Sequence, residues 1–198
     1  MIAPFLSALF ISFFTGAIPT AYLAGKYLRG IDLRKEGSGN VGATNALRVM
    51  GKGIGYSVFI IDFLKGLLPA LFMSRIYPAV GTLSATCWVG LAAILGHIFS
   101  PFLSFKGGKG IATGAGVTCA VNTPFFFVSI ALWALIFLTT KTVSISSILA
   151  VLSLVILSFL FKFEWPTFPF FVLLFGIALW THRENIRRLL RGEEKTFR

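Results

Sequence analysis

The sequence has few charged side chains. Asp, Glu, Lys and Arg make up 13% of its 198 residues, about half of the roughly 25% found in soluble domains. So low a charge content excludes an ordinary soluble globular fold, and 56% of the residues are hydrophobic. The apolar runs are long and unbroken rather than alternating, which is typical of transmembrane helices. The composition therefore predicts an all-α, polytopic integral membrane bundle.

Acidic residues and cysteines are rarer still. Seven Asp and Glu residues stand against 18 Lys and Arg residues, for a net charge of +11. The basic residues lie between apolar runs, which favours cytoplasmic loops and anionic lipid headgroups over nucleic acid. Carboxylates are scarce in the polar segments and the two histidines are isolated, so we expect no bound metal. Cys87 and Cys119 lack metal-ligand spacing, and we expect buried, inert thiols.

Seven apolar segments are predicted to span the membrane. They cover residues 3–26, 54–72, 80–99, 111–121, 125–140, 145–161 and 168–181. The fourth is shorter than the usual span of about 20 residues, and neighbouring helices or local bilayer thinning would accommodate it. A bundle of this size leaves no room for a separate soluble domain. We therefore predict a single domain, residues 1–198.

The distribution of basic residues predicts the orientation. With seven spans and an external N-terminus, 15 Lys and Arg residues fall on one side of the membrane, and only Arg75 and Lys162 fall on the other. Lys65 lies within the second span. Positive charge collects in cytoplasmic loops, so the polar segments and the C-terminus are predicted to be cytoplasmic. If residues 111–121 did not cross, Lys141 and the basic tail would move outside.

The first polar segment, residues 37–48, has the chemistry of a phosphate site. Glycines let a ligand approach the backbone N–H groups, while hydroxyl, amide and guanidinium groups supply further hydrogen bonds. The candidates are Gly37, Gly39, Gly42, Ser38, Thr44, Asn45 and Arg48. The glycine spacing matches a dinucleotide fingerprint, but that motif requires a preceding strand, and this one follows a membrane span. The alternative is a flexible loop whose Gly and Asn residues only form turns.

A second polar segment begins at His97 and continues through Gly107, Gly108 and Lys109. Lysines interleaved with glycines just before a helix indicate an anion-binding loop. The loop is not a Walker A motif, because Lys109 is followed by Gly110 rather than Ser or Thr. A basic loop at the membrane edge is the alternative, and it does not explain the glycines.

Two further segments carry polar groups. His182 and Asn185 are three residues apart, which places them on one face of a helix. An amphipathic helix on anionic lipid would explain the neighbouring arginines but not these two residues. Ser144, Ser146 and Ser147 follow Lys141 at a helix start, where serine is usually a cap.

Asp62 and Lys65 lie within the second span. An ionisable residue at the centre of a span costs about 2.5 to 3.5 kcal/mol, so such residues normally pair or serve a function. At positions i and i+3 they can pair with each other. We predict a structural ion pair near the cytoplasmic end of the span.

In this order, the segments resemble the bacterial acyl-phosphate:glycerol-3-phosphate acyltransferase family of membrane enzymes, the PlsY type. The resemblance rests on residues 37–48, on Gly96 and His97 with residues 105–113, and on residues 182–193, and residues 143–148 are also similar. It spans nearly the whole chain. Relatives usually have proline at the position of Ser100 and an aromatic residue at the position of Thr142, so local loop geometry differs there.

The resemblance implies seven transmembrane helices in the bacterial inner membrane, with the active site at the cytoplasmic face. It implies transfer of a fatty acyl group from acyl phosphate to the 1-hydroxyl of glycerol 3-phosphate in phospholipid biosynthesis, giving lysophosphatidic acid and phosphate. It implies no cofactor, and the soluble phosphate acyltransferase that makes the donor is a candidate partner. By matching positions, Ser38, Arg48, Lys109, Ser147, His182 and Asn185 would bind or orient the substrates. Among these, Ser38, Lys109, His182 and Asn185 are the catalytic candidates. Thr44, Asn45, His97, Gly37, Gly39, Gly42, Gly107 and Gly108 would shape the site.

The residues also suggest where the proton of the acceptor hydroxyl goes. Another class of acyltransferases has an H-x-x-x-x-D motif, in which an aspartate follows the histidine by five residues. Here Phe102 lies five residues after His97, and Arg187 lies five residues after His182. We therefore hypothesise that the substrate's own phosphate helps to remove the proton, while the protein supplies proximity and charge stabilisation.

Two other functions are alternatives. A carrier for a small organic phosphate would be expected to contain internal repeats, which the sequence lacks. A non-catalytic scaffold would not need the glycines and lysine of residues 107–110.

Overall fold

The computed structural model describes residues 2–76, 82–162 and 166–197 and is helical, with no β-strand among these residues. The helices are α1 (Ile2–Ala17), α2 (Thr20–Arg29), α3 (Ala43–Met50), α4 (Lys52–Ile76), α5 (Thr82–Ile98), α6 (Ile111–Val121), α7 (Thr123–Thr140), α8 (Val143–Leu160), α9 (Thr167–Thr181) and α10 (Arg183–Leu190). Short 3₁₀ turns cover Leu33–Lys35 and Pro101–Leu103. The all-α prediction is confirmed.

Seven apolar helical segments coincide with the seven predicted spans. Five are long and apolar enough to cross a membrane: Pro4–Arg29, Lys52–Phe72, Leu83–Leu103, Thr123–Thr140 and Val143–Leu160. Two are shorter, Ile111–Val121 and Thr167–Thr181. The number of crossings and the side of each terminus stay predictions. The start of the predicted third span, at residues 80 and 81, lies outside the described residues.

The first predicted span, 3–26, is not one continuous helix. Helix α1 ends at Ala17, and α2 begins at Thr20 after Ile18 and Pro19. Proline has no backbone N–H and disfavours a helical conformation in the residue before it. The predicted span is therefore present as two consecutive helices rather than one. Helix α4 continues through Arg75 to Ile76.

The chain divides into two compact units, Met1–Val121 and Asn122–Arg198. In the first unit, α1 packs on α5, and α4 packs on both α5 and α6. Glycines allow the helix backbones to approach closely, as is common where helices pack in membranes. A Cβ on Gly16 would overlap the backbone of Ala93, and a Cβ on Gly116 would overlap the backbone of Phe63.

A cluster of buried hydrophobic residues in the first unit holds the polar segment after α2 in place. Ala21, Leu33, Ala46, Met50 and Val58 are buried together. These residues come from α2, the 3₁₀ turn, α3 and α4, so the polar, glycine-rich segment contains a packed helix of its own. The loop that precedes α3 is consequently held at both ends.

The predicted ion pair within α4 is present. Lys65 Nζ lies 2.7 Å from Asp62 Oδ1, and the two side chains are 6% and 2% exposed. The prediction that these residues pair with each other is confirmed. Of the two cysteines, Cys87 is buried in α5 as predicted, while Cys119 is only partly buried in α6.

The second unit is built from α7, α8 and α9, with α10 against α9. Asn122 caps α7 by accepting a hydrogen bond from Phe125 N at 3.0 Å. Phe125 in turn packs against Phe161 and Phe171. The tail returns to the start of α8, where Phe197 N donates to Lys141 O at 2.9 Å.

We predict that Gly116→Ala destabilises the protein. The added methyl group would overlap the Phe63 carbonyl, and such overpacking costs about 1 to 3 kcal/mol of folding free energy. The thermal midpoint in detergent should fall. Gly176→Ala on α9 is the matched control, since no atom lies within 4 Å of a Cβ at that position. Equal midpoints for the two variants would contradict the close packing of α4 and α6.

Candidate functional site

Asn45 organises the first polar segment. Its side chain is buried, with Oδ1 accepting a hydrogen bond from Ser38 N at 2.8 Å. Its Nδ2 donates to Glu36 O at 2.9 Å and to Leu33 O at 3.4 Å. These bonds commit three of the amide's four hydrogen-bonding positions to the protein backbone. Asn45 therefore holds the backbone of this loop in place.

The glycines of this loop have the conformations that its turns require. Gly37 and Gly39 have φ of 61° and 74°, in the left-handed region that other residues avoid. A Cβ on Gly37 would also overlap Asn45 Oδ1. The turn interpretation is thus correct for these two positions. It does not exclude ligand binding, because Ser38, between the two glycines, has an exposed side chain.

Helix α3 presents the remaining candidates of this segment. It begins directly after Gly42, whose position at the N-cap has no side-chain hydrogen bond. Thr44 is partly buried in the first turn, and Arg48 is partly buried in the last turn. A helix N-terminus carries partial positive charge, so Ser38, Gly42 and Thr44 surround an end that favours an anion.

Arg34, just before this segment, is paired with Asp32. Its Nε and Nη2 donate to the two carboxylate oxygens at 2.9 and 2.7 Å. The hydrogen bonds from the Arg34 side chain lower the pKa of Asp32 to about 2. The pair is solvent-exposed and adds little stability, but it directs this guanidinium away from other anions.

The second polar segment folds back on the end of α5. Gly107 N donates to Ile98 O at 2.9 Å, and Gly108 N donates to His97 O at 3.1 Å. A Cβ on Gly107 would overlap the His97 carbonyl, and a Cβ on Gly108 would overlap the His97 ring. Glycine is needed here for close packing, and these two amides are used by the loop itself. Lys109 follows, partly buried, at the start of α6.

Ser100 takes a role that the sequence did not indicate. Its Oγ donates to Ala17 O at 2.6 Å, which ties the second polar segment to the end of α1. A proline at this position, as the resemblance leads one to expect, would have no hydroxyl. Ser100 thus makes a hydrogen bond that the proline of the family pattern could not make.

In the second unit, Glu194 gathers three side chains. Its Oε1 accepts hydrogen bonds from Asn185 Nδ2 at 2.5 Å and from Ser144 Oγ at 2.8 Å. Its Oε2 accepts from Arg188 Nε at 2.8 Å. Burial opposes ionisation of this carboxyl, but the hydrogen bonds from Asn185, Ser144 and Arg188 outweigh it and lower the pKa. Sequence reasoning missed Glu194, although its neighbour Glu193 closed the third matching segment.

The serines at the start of α8 are not caps. Thr142 occupies the N-cap position without a side-chain cap bond. Ser144 binds Glu194, and Ser146 Oγ donates to Thr142 O at 2.8 Å. Ser147 Oγ accepts from Trp133 Nε1 at 3.2 Å. The cap interpretation was wrong, and Trp133 is a partner of Ser147 that sequence reasoning did not find.

His182 stands between α9 and α10 and is 2% exposed. Its Nδ1 lies 2.8 Å from Ala178 O. A carbonyl oxygen can only accept, so Nδ1 carries the proton and Nε2 is the acceptor of the neutral ring. The ring is thereby oriented, and Nε2 is the nitrogen that could receive a substrate hydrogen bond.

We predict that Glu194→Gln loosens the C-terminal tail. Loss of the carboxylate weakens its bonds to Asn185, Ser144 and Arg188, so protease should cut after α10 faster at pH 7. Because folding lowers the pKa of Glu194, its contribution is complete above the ordinary carboxyl range and is lost as the pH falls through the folded pKa. Glu193→Gln, at an exposed neighbour, is the control and should be cut like the original chain. Identical cleavage of both variants would contradict the anchoring role.

Comparisons with known proteins agree on one family. The model of the family described as glycerol-3-phosphate acyltransferase matches residues 6–192. A glycerol-3-phosphate acyltransferase of Aquifex aeolicus is 42% identical over 201 residues, covering 97% of this chain and 100% of the relative. One of Pelagibacter ubique is 39% identical over 183 residues, covering 92% of each chain.

Two solved structures are also similar. Both are described as PlsY (YgiH), an integral membrane glycerol 3-phosphate acyltransferase. The glycerol 3-phosphate form has a TM-score of 0.91 at 38% identity and covers 98% of this chain and 96% of its own. The lysophosphatidic acid form has a TM-score of 0.87 at 37% identity and covers 98% and 95%.

Proposed function

The chain belongs to the glycerol-3-phosphate acyltransferase family of integral membrane enzymes, and we propose that its acyl donor is a long-chain acyl phosphate and its product lysophosphatidic acid. The observation that carries this proposal is the match, at 38% identity over 98% of the chain, to a solved PlsY enzyme in its glycerol 3-phosphate form. A related structure in a lysophosphatidic acid form supports the product.

The proposed reaction needs little acid catalysis. The 1-hydroxyl of glycerol 3-phosphate attacks the carbonyl carbon of acyl phosphate, and the bond to the phosphate oxygen breaks as the tetrahedral intermediate collapses. Phosphate leaves with the electron pair of that bond, and the hydroxyl proton passes to a phosphate oxygen. The protein must bind two phosphate-bearing substrates and stabilise the developing negative charge.

The roles proposed for the first unit follow from its chemistry. Ser38, Thr44 and the amides at the start of α3 can donate to a phosphate, and Arg48 and Lys109 supply positive charge. Asn45, Gly37 and Gly39 hold the first loop in shape, while Gly107 and Gly108 seat the second. Direct substrate binding is thus proposed for the former group and positioning for the latter.

In the second unit, Ser147, His182 and Asn185 are the proposed substrate residues. The Nε2 atom of His182 can accept a hydrogen bond from a hydroxyl because Nδ1 is bound to Ala178 O. Asn185 is oriented by Glu194.

We also propose that the enzyme lies in the bacterial cytoplasmic membrane with its polar segments and C-terminus facing the cytoplasm. The excess of Lys and Arg on one side of the predicted seven-span topology supports this orientation. A soluble enzyme that makes acyl phosphate would deliver the donor from that side.

The first test is phosphate release by the purified protein in lipid vesicles, given palmitoyl phosphate with and without glycerol 3-phosphate. We expect release that depends on the acceptor, yields lysophosphatidic acid and falls at least about 100-fold in Lys109→Ala, since one lost charge contact at the reacting phosphate has that magnitude. Lys52→Ala, at an exposed lysine that begins α4, is the matched control. No release with palmitoyl phosphate would overturn the donor assignment. Counterflow of glycerol 3-phosphate without product would indicate a carrier instead.

A pH profile tests the role of the substrate phosphate as base. A general base must be deprotonated to act, so its removal abolishes the fall in rate on the acid side. We expect His97→Gln and His182→Gln to lower the rate while keeping this acid limb, because the phosphate that titrates is the substrate's. A flat acid side in either variant would identify that histidine as the base and contradict the hypothesis.

A further inference from the structure

The interruption between α1 and α2 exposes backbone carbonyls that receive side-chain donors from other helices. Lys65 Nζ on α4 donates to Ile18 O at 2.9 Å. Ser100 Oγ, just after α5, donates to Ala17 O at 2.6 Å. A helix broken inside an apolar region must find such donors within the protein. Lys65 therefore has a second role besides its pairing with Asp62.

Asp62 connects this buried lysine to the second polar segment. Its Oδ1 lies 2.7 Å from Lys65 Nζ and 4.0 Å from His97 Nδ1. All three side chains are at least nine-tenths buried. At this separation the carboxylate makes a charge contact with the ring rather than a hydrogen bond, and the opposite edge of the ring, with Nε2, lies against Gly108.

The loop after His97 rests directly on this arrangement. The His97 backbone accepts from Gly108 N, and its ring fills the space where a Gly108 side chain would lie. Lys65, His97, Ser100, Gly107 and Gly108 also line one cavity of about 10 Å³. Lys65 of the ion pair and the glycines of the loop thus line the same cavity, with the His97 ring between them.

We propose that Asp62 and Lys65 are positioning residues for the glycine-lysine loop, residues 107–110, and so for the binding of a phosphate-bearing substrate. Lys65 holds the broken α1–α2 backbone, Asp62 pairs with Lys65 and lies beside the His97 ring, and His97 seats Gly108 and with it Lys109. The effect on substrate binding rests on the proposed function, whereas the effect on the loop does not.

The test compares the loop in single and double variants. Asp62→Asn or Lys65→Met alone leaves one buried charge without its partner and destabilises the fold, whereas neutralising both partners of a buried ion pair is often nearly neutral. The double variant Asp62→Asn/Lys65→Met therefore separates stability from positioning. Its thermal midpoint should recover toward that of the original chain.

Hydrogen exchange then reports on the loop without any assay of activity. In the double variant we expect faster exchange at the amides of Gly107 and Gly108, which are bonded to the end of α5 in the original chain. The kcat/KM for acyl phosphate should fall about tenfold or more, because displacement of the loop moves Lys109 away from the reacting phosphate. Ser12→Ala is the matched control: it removes another buried bond between α1 and α5, to Val89 O at 2.6 Å.

Each outcome has a meaning. Unchanged exchange and unchanged kcat/KM in a folded double variant would overturn the proposal, because the pair would then only satisfy its own charges. If the double variant does not fold, Lys65→Arg keeps the buried positive charge but changes the donor that reaches Ile18 O, and unchanged exchange at Gly107 and Gly108 in that variant would overturn the proposal as well. If the original chain makes no lysophosphatidic acid, the proposed reaction is rejected, and altered exchange in the double variant still supports the positioning role.

Discussion

Backbone carbonyl groups at the α1–α2 interruption need donors, and the arrangement of the first unit follows from this requirement. Pro19 ends α1 within an apolar segment, where unpaired carbonyls are costly. Lys65 supplies one donor, and a buried ammonium in turn requires a carboxylate, which Asp62 provides. The carboxylate lies beside His97, whose ring and backbone seat the glycine loop. A series of contacts thus connects the interruption after the first helix to a loop about 90 residues later.

The positions of the helices could be predicted because apolar runs of helical length have few other solutions in a membrane. Helix α6 coincides with the predicted segment, Ile111–Val121, since polar residues flank it closely on both sides. The break at Pro19 was missed because the sequence is apolar before and after it, so composition does not change there. Helix α3 was missed as a packed element because its buried residues are separated by polar ones.

The candidate site could be located from sequence but not resolved into roles. Glycine, asparagine and serine indicate a loop whose backbone makes close contacts. The sequence does not say whether those contacts are to a ligand or to the protein's own backbone. Asn45 and the amides of Gly107 and Gly108 bind backbone. The Ser144–Glu194 bond joins residues 50 positions apart, and no local pattern indicates a contact at that separation. Only the fold supplies the distances that divide binding groups from supporting ones.

The tail beyond α10 affects how the protein can be handled. Phe197 packs its ring edge-on against Phe137, and its amide binds Lys141 O at the start of α8. Glu194, three residues earlier, holds Asn185 in place. A purification tag or fluorescent protein fused behind this tail would pull on residues that orient a candidate substrate group. Fusions are better placed at the N-terminus, or separated from Phe197 by a long flexible spacer.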